Sequence, residues 1–448
     1  MLRDGVKTDH SQLTVSGYLG YVSVAFWAGM IIVGFGAIDL AMVAPFGAVQ
    51  LAAVGQADIL VTAVMAGVLG FSDSYSTRLA QAEGAGRTKR TFLPLVLGLV
   101  VVAFGLTCLL IAATPAIEPL LYMFGQIETL VPLIAAYIVI RLIGSGLFLL
   151  YYAANETLKI SGHRRFAIAV LVFGLVVNAG LNVIFLYVAP IAALFSSPTA
   201  AVAWATLVSE ATMAIAASIL ASWLLRYRVN WSLSNISVSF GAEFFALLRH
   251  GPGAGARRLN DYVSALIPLL LIGTFSVAAV AAAAVATRIY MIFCRIPQAT
   301  FAAAFLYYSY ALGQRSIVTS FALQDTVRKL LRASVIITTI GLAVSAFFLT
   351  PILDLIEGGA DRTLVLWLLA AFMIALPAYV FEQFFAELLV ANERSQFLLV
   401  STSITTYLVI LPLCWFVAKE SGDAFSVLLA RGLGSLILGG LFFLAFRK

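Results

Sequence analysis

Long apolar runs, separated by short polar segments, recur from one end of the chain to the other. An α-helix needs about 20 predominantly apolar residues to cross the hydrocarbon core of a bilayer. Runs of this kind predict twelve spanning helices, at residues 17–43, 50–77, 92–114, 129–157, 166–189, 200–225, 245–272, 276–310, 333–353, 363–390, 396–418 and 424–446. The pattern therefore predicts an all-α, polytopic membrane protein.

The composition supports this prediction. The 448 residues are 62% hydrophobic and 11% charged, and the mean hydropathy is +1.03. A soluble domain does not require so much apolar surface, whereas a chain that is solvated by lipid does. The first apolar run is too long for the core of a cleavable signal peptide and has no convincing cleavage site, so it predicts a permanent first span.

The basic residues are distributed unevenly between the connections. With twelve spans, eighteen lysines and arginines fall on one side of the membrane, and only Arg362 and Lys419 fall on the other. Because positively charged loops stay on the cytoplasmic side, both termini are predicted to be cytoplasmic, in the inner (plasma) membrane of a bacterial-type cell. The net charge of +6 fits contact with anionic lipid headgroups rather than with nucleic acid, because the basic residues lie in short loops.

Cysteine and histidine give no sign of a metal centre. The three cysteines lie within apolar runs without a C-x-x-C spacing, and the three histidines lie in the N-terminal tail or near loops. The glycine-rich segment 251–255 lacks the lysine of a nucleotide-binding loop, so ATP is not expected to drive the protein. We expect neither an enzyme activity nor a bound cofactor.

One carboxylate interrupts the first span. Residues 17–38 carry no charge, and Asp39 follows within the same apolar run. An ionisable side chain inside a membrane is costly, and it normally faces an aqueous cavity or a partner. Asn178 and Asn182 are four residues apart on one face of the fifth span, at a comparable depth. We expect these three residues to bind a proton or a sodium ion; the alternative is that Asp39 caps its helix or faces a loop at the outer boundary.

The chain also shows signs of an internal duplication. The longest polar interval near the middle separates two sets of six apolar runs, and short matches such as 51–54 with 282–285 share an offset near 230 residues. Two repeats in the same orientation predict two six-helix lobes that are related by a pseudo-two-fold axis around a central substrate cavity. The predicted limits are an N-terminal lobe at 1–226, a cytoplasmic linker at 227–244 and a C-terminal lobe at 245–448.

Three segments near the start of the chain, residues 39–43, 51–55 and 80–86, resemble the first two spans of multidrug and toxic compound extrusion (MATE) transporters. The sequence 162–165 and the two asparagines of the fifth span are similar to that family's fourth loop and fifth span. The resemblance implies a twelve-helix, two-lobed antiporter. Such a protein exports small molecules in exchange for an inward flow of protons or sodium ions.

The chain departs from the family pattern at positions that bear on the coupling ion. Ala44 stands where the family often has glycine, and Asn260 and Asp261 stand where one branch has a glutamate in the seventh span. Glu382 occupies the place of an aspartate in the tenth span. The resemblance implies a second coupling-ion site at Asp261 and Glu382; the alternatives for Glu382 are a contact with substrate and a pair with a neighbouring arginine.

Arginines, and not lysines, recur within the spans and at their edges. Arginine suits fixed, bidentate contacts with carboxylate or phosphate groups. We therefore expect an anionic or zwitterionic substrate in a cavity lined by Arg141, Arg257, Arg258, Asn260 and Arg288. The alternative is structural pairing, for which Arg257 and Asp261, four residues apart, are the clearest candidates.

These observations favour a monomeric secondary active exporter that binds a small molecule and membrane lipid. An alternative from the wider fold superfamily is a flippase for lipid-linked oligosaccharides, which would use arginines to hold a diphosphate. A membrane-embedded enzyme is not favoured, because the sequence shows no convergent nucleophile or metal set.

Overall fold

The computed structural model describes residues 15–447 except 124–125, 127, 227–233, 273–276, 315–319, 348 and 350–361. Its regular structure is helical. The first half contains α1 (Val15–Val43), α2 (Ala48–Gly84), α3 (Thr88–Ala112), α4 (Ile117–Met123), α5 (Val131–Ile143), α6 (Ser145–Ile160), α7 (Arg164–Tyr187), α8 (Ala189–Ala192) and α9 (Pro198–Leu225). The second half contains α10 (Ser234–Ile272), α11 (Val277–Gly313), α12 (Ser320–Phe347), α13 (Arg362–Ala391), α14 (Ser395–Ile404), α15 (Leu411–Ser421) and α16 (Ala424–Arg447).

Ten of the described helical segments are long and apolar enough to cross a membrane, and the bent pair α5 and α6 makes an eleventh candidate. These segments account for every predicted span except 245–272. That span lies in α10, which is helical but carries Arg257, Arg258 and Asp261 near one another. The charges lower its hydropathy, so composition alone does not single out α10. The predicted all-helical membrane fold is confirmed.

The predicted fourth span is broken rather than continuous. Helices α5 and α6 meet at Gly144 with a bend of 49°. Gly144 packs against the Leu207 side chain, and a Cβ at this position would also lie 3.3 Å from the carbonyl oxygen of Arg141. A residue without a side chain is therefore needed at the bend. The break places Arg141 in the last turn of α5.

The contacts within the chain define two compact units. The described part of the first unit comprises residues 27–251, and that of the second comprises 15–26 and 252–447. Both divisions fall inside helices, because α1 and α10 each contribute residues to both units. Of the expected linker, residues 227–233 lie outside the described residues, and the chain is helical from Ser234 onward.

The first unit has an apolar core that is built mainly from α2, α5 and α9, with Val54, Ile134 and Val202 at its centre. Between helices in lipid, close van der Waals packing and hydrogen bonds replace the hydrophobic driving force. The contact of α6 with α3 shows this packing, since a Cβ at Gly146 would lie 2.6 Å from the Thr107 hydroxyl. The Gly146 amide donates a 2.9 Å hydrogen bond to that hydroxyl.

The second unit has apolar cores that are formed largely by α11, α13 and α16. The first residues of α1 belong to this unit. The Tyr18 hydroxyl donates to the carbonyl oxygen of Thr300 at 3.1 Å and lies 3.0 Å from the Ser334 hydroxyl. Helix α1 therefore begins in the second unit and carries Asp39 within the first.

Candidate functional site

The buried polar centre of the first unit is built around Asp39. Its side chain is only 3% exposed. Asn182 on α7 donates a 2.7 Å hydrogen bond to Oδ1, and Thr206 on α9 donates a 2.9 Å hydrogen bond to Oδ2. Asp39 thus lies inside the unit among three helices, and it neither caps a helix nor faces a loop.

The second predicted amide lies one helical turn away. Asn178 is fully buried; it donates to the Thr206 hydroxyl at 3.4 Å, and its Oδ1 accepts from Asn182 at 3.4 Å. Asn182 Oδ1 is buried and has no hydrogen-bond donor among the described residues. The centre therefore offers a carboxylate and an amide oxygen, which are the groups that bind a proton or a small hard cation.

A buried ion pair lies next to this centre. Arg141 on α5 donates to Glu210 Oε1 on α9 through Nη2 at 2.8 Å, and its Nη1 lies 2.7 Å from Oε2. Both side chains are 7% exposed. Arg141 was expected to line a substrate cavity, and the structure places its guanidinium against Glu210 instead. Its charge is therefore already compensated within the unit.

The sequence did not lead us to place Thr206, Glu210 or Asp58 beside Asp39, although Asp58 and Glu210 were expected to pair with arginines. A signal was present, because Thr206 and Glu210 are four residues apart in the sixth span and so share one helix face. Asp58 on α2 is half-buried, with Arg141 and the hydroxyl of Tyr137 as its electrostatic neighbours. Polar residues that share one helix face within an apolar span are thus as informative about a buried site as a single charged residue.

The second unit contains a separate polar cluster around Arg257, which is 1% exposed. Its Nη2 donates to Glu387 Oε1 at 2.7 Å, and its Nη1 donates to Gln383 Oε1 at 2.9 Å. The predicted pair with Asp261 exists at the longer distance of 3.9 Å. The guanidinium of Arg257 is therefore buried and forms ion pairs with Glu387 and Asp261, and it is not open.

Asp261 and Glu382 come together in this cluster. The Gln383 amide donates to Asp261 Oδ2 at 3.2 Å and to Glu382 Oε1 at 3.4 Å, so one side chain links both acids. Glu382 is 3% exposed, with Arg431 and Ser435 of α16 among its neighbours. The two acids that the family resemblance grouped are thus close in space, although arginines surround them.

The remaining predicted residues have different surroundings. Asn260 is buried and donates to the hydroxyls of Thr402 and Ser403 at 2.9 Å and 3.0 Å. Arg258 is half-buried and contributes to the charge around Asp261. Arg288 lies on α11, but its side chain is outside the described residues. Within the described part of the chain, histidine, cysteine and acidic side chains form no group of three that could hold a metal ion.

Comparison with known proteins identifies a family to which part of this chain is similar. Residues 25–184 match the MatE family model. This range includes Asp39, Arg141, Asn178 and Asn182. None of the curated proteins that were compared matches the chain in sequence.

Several solved structures share the fold. The MATE transporter VcmN from Vibrio cholerae, in its bent form, is 19% identical, with a TM-score of 0.77 over 97% of this chain and 96% of that one. A MATE structure in the straight conformation is 20% identical, with a TM-score of 0.78 over 96% of this chain and 95% of that one. A MOP superfamily transporter from Pyrococcus furiosus, whose binding pocket of reverse polarity suggests a different function, is 20% identical, with a TM-score of 0.78 over 96% and 94%.

The structural likeness extends over nearly the whole chain, and the sequence likeness includes Asp39, Asn178 and Asn182 but ends before α9, which carries Thr206. The MatE match at residues 25–184 and the fold shared over nearly the whole chain make this protein similar to MATE transporters.

Proposed function

We propose that the protein is a secondary active exporter that moves a small organic molecule out of the cell in exchange for protons or sodium ions. The observation that carries the proposal is the state of Asp39. It is buried, it accepts hydrogen bonds from two neutral donors, and it forms no ion pair within the described residues. A buried carboxylate without a cation of its own is costly, and a transported ion relieves that cost.

The contacts of Asp39 explain how ion binding could act on the helices. A protonated or cation-bound carboxylate no longer needs two donors. The Thr206 hydroxyl can then turn entirely to the carbonyl oxygen of Val202, which already lies 3.0 Å away on α9. Rotation of the Asn182 amide would present its unpartnered Oδ1 to the proton or metal ion. Occupancy of one site would thus change the contacts of α1, α7 and α9.

The charge of the substrate is a separate question. Two of the arginines that suggested an anionic or zwitterionic molecule, Arg141 and Arg257, form buried ion pairs. The roles expected for Arg258 and Arg288 in a substrate cavity stay predictions. Function resides in the site and not in the fold, and the Pyrococcus relative has this fold with a binding pocket of reverse polarity.

The same ion pairs bear on the flippase alternative. A lipid-linked diphosphate would need guanidinium groups that are open to its oxygens. Arg141 and Arg257 instead bind Glu210 and Glu387, so the described arginines support the exporter better. A monomer in the inner membrane with cytoplasmic termini remains part of the proposal.

Reconstitution tests the proposal directly. Purified protein in lipid vesicles would be given an imposed proton or sodium gradient and a panel of cationic, zwitterionic and anionic compounds. We expect wild-type protein to drive efflux of at least one compound and Asp39→Asn to lose it while keeping its thermal stability. Unchanged gradient-driven efflux by Asp39→Asn would remove the carboxylate from the mechanism.

A further inference from the structure

The polar centre of the first unit has a second layer. Thr206 and Glu210 are four residues apart on α9, and Tyr137 and Arg141 are four residues apart on α5. At ~1.5 Å per residue, each pair spans about 6 Å along its helix. Thr206 contacts Asp39, whereas Arg141 and Glu210 contact each other. The ion pair therefore lies about one helical turn from the carboxylate of Asp39.

Asp58 belongs to this second layer. Its Oδ2 lies 3.5 Å from the position that a Cβ at Gly36 would occupy. Gly36 precedes Asp39 by three residues on α1, which is a rise of ~4.5 Å. The electrostatic neighbours of Asp58 include Arg141 and Tyr137. Asp58 thus occupies the same interior as Asp39, about one turn away along α1.

The charges in this interior do not balance. Glu210 already has the Arg141 guanidinium, through two contacts of 2.7–2.8 Å. Asp39 and Asp58 have only neutral hydrogen-bond donors and form no ion pair within the described part of the unit. The facing groups are Asp39 on α1, Asp58 on α2, Tyr137 and Arg141 on α5, Tyr151 on α6 and Glu210 on α9.

The cluster in the second unit is different. There the three acids Asp261, Glu382 and Glu387 are accompanied by three arginines, Arg257, Arg258 and Arg431. These described acids and arginines balance without any added ion. Among the residues that the structure describes, the excess of negative charge therefore lies in the first unit, where the buried Asn182 Oδ1 also lacks a donor.

We propose that the polar centre of the first unit holds two monovalent cations, H⁺ or Na⁺, with one at Asp39 and a second at Asp58. This inference rests on the proposed function only for the role of Asp39 as the coupling site. The second cation neutralises a carboxylate that has no ion pair of its own among the described residues, because the Arg141 guanidinium pairs directly with Glu210. Exchange of ions for substrate then involves two positive charges in this unit instead of one.

Infrared difference spectroscopy on the full-length protein in lipid vesicles tests the inference without a substrate. The probes are protons and sodium ions alone, and the signal is the carbonyl stretch of protonated carboxyl groups after a change of pH. We expect Asp39→Asn to remove one band and Asp58→Asn to remove a different one. Asp73→Asn, on the same helix as Asp58, should remove neither band. Bands that persist unchanged in Asp58→Asn, together with unchanged sodium binding, overturn the inference.

A second variant covers the case in which Asp58→Asn does not fold. Gly36→Ala places a methyl group 3.5 Å from Asp58 Oδ2, which is an ordinary contact, so the helix is kept while one side of the carboxylate is closed. We expect the Asp58 band to shift and the Asp39 band to stay. Gly67→Ala, which meets nothing within 4 Å, is the matched control. Identical spectra for the two alanine variants overturn the inference.

Measurements of sodium binding distinguish Na⁺ from H⁺ as the second cation. If Na⁺ is the second cation, Asp58→Asn should bind one sodium ion fewer per protein than wild type in equilibrium binding of radioactive sodium at alkaline pH. If H⁺ is the second cation, Asp58→Asn should lose its infrared band with no change in sodium binding. If Asp39→Asn loses efflux while Asp58→Asn has the infrared spectrum and the sodium binding of wild type, the second cation alone is rejected. Retained efflux by Asp39→Asn would reject the proposed function instead.

Discussion

Asp39 on α1 accepts a 2.7 Å hydrogen bond from the side-chain amide of Asn182, which lies 143 residues later on α7. Thr206 on α9 donates to the other carboxylate oxygen at 2.9 Å. A single carboxylate therefore connects three helices that are distant in sequence. Because both donors are neutral, the negative charge of Asp39 remains available to a proton or a metal cation.

Thr206→Val should weaken ion coupling without disturbing the shape of the site. The substitution removes one donor to Asp39, and a hydrogen bond to a charged group contributes about 1.5–3 kcal/mol. We expect the ion concentration for half-maximal efflux to change by roughly ten- to a hundredfold. Thr212→Val on the same helix is the control, since its hydroxyl donates to the carbonyl of Ser209 at 2.7 Å. Equal effects of the two substitutions would contradict the role of Thr206.

Arg141 and Glu210 should behave as a coupled pair. Arg141→Met or Glu210→Leu alone leaves a buried charge without its partner and should lower the free energy of unfolding by about 3–5 kcal/mol. The double variant removes both charges and should recover most of that loss. Thermal unfolding in detergent measures the coupling, and simple additivity of the two single effects would count against it.

An exposed pair provides the reference for that experiment. Lys329 and Asp325 lie 2.6 Å apart on α12, with side chains 60% and 46% exposed. Solvent and salt screen such a pair, so Lys329→Met should change the free energy of unfolding by no more than about 1 kcal/mol.

Gly253→Ala should destabilise the second unit. A Cβ at this position would meet the carbonyl oxygen of Ser395 and lie 2.6 Å from its carbonyl carbon. A backbone group cannot rotate away as a flexible side chain can, so we expect a loss of about 1–3 kcal/mol in the free energy of unfolding. Gly440→Ala meets nothing within 4 Å and should be neutral or slightly stabilising. Similar melting temperatures for the two variants would show that the contact is not tight.

Asp423 should stabilise the start of α16 in a pH-dependent way. Its carboxylate accepts from the amides of Phe425 and Ser426 at 3.2 Å and 2.9 Å, and from the Ser426 hydroxyl at 2.7 Å. Partial burial raises the pKa of Asp423, but the hydrogen bonds from Ser426 and Phe425 outweigh it, and the pKa lies below its ordinary value. The stabilisation is therefore present above the unfolded pKa of ~3.9 and is lost as the pH falls through the lower folded value.

Asp423→Ala tests this cap. We expect a loss of about 1 kcal/mol near neutral pH, and a smaller difference from wild type in acid. Asp423→Asn still accepts hydrogen bonds and should retain most of the stability without the pH dependence. A constant difference between Asp423→Ala and wild type across the pH range would contradict the cap.

The arginines show where pattern and structure differ. From sequence, Arg141 and Arg257 were compatible with a substrate cavity and with ion pairs, and pairing was favoured for any single arginine. The partner of Arg141 is Glu210, on another helix, and the closest acid to Arg257 is Glu387 rather than Asp261. Spacing along one helix predicts only local pairs, so it could not identify partners that come from other helices.

The sequence by itself determined the helical membrane fold, the resemblance to MATE transporters, and Asp39 with Asn178 and Asn182 as a candidate centre. This was possible because the length of an apolar run and the cost of a charge within it are properties of single segments. Only the tertiary structure decided that Thr206 completes the contacts of Asp39, that Glu210 forms an ion pair with Arg141 and that Asp58 lies in the same interior. Those facts depend on how the four helices α1, α2, α5 and α9 are packed, and no periodicity along the chain encodes the distance between side chains on different helices.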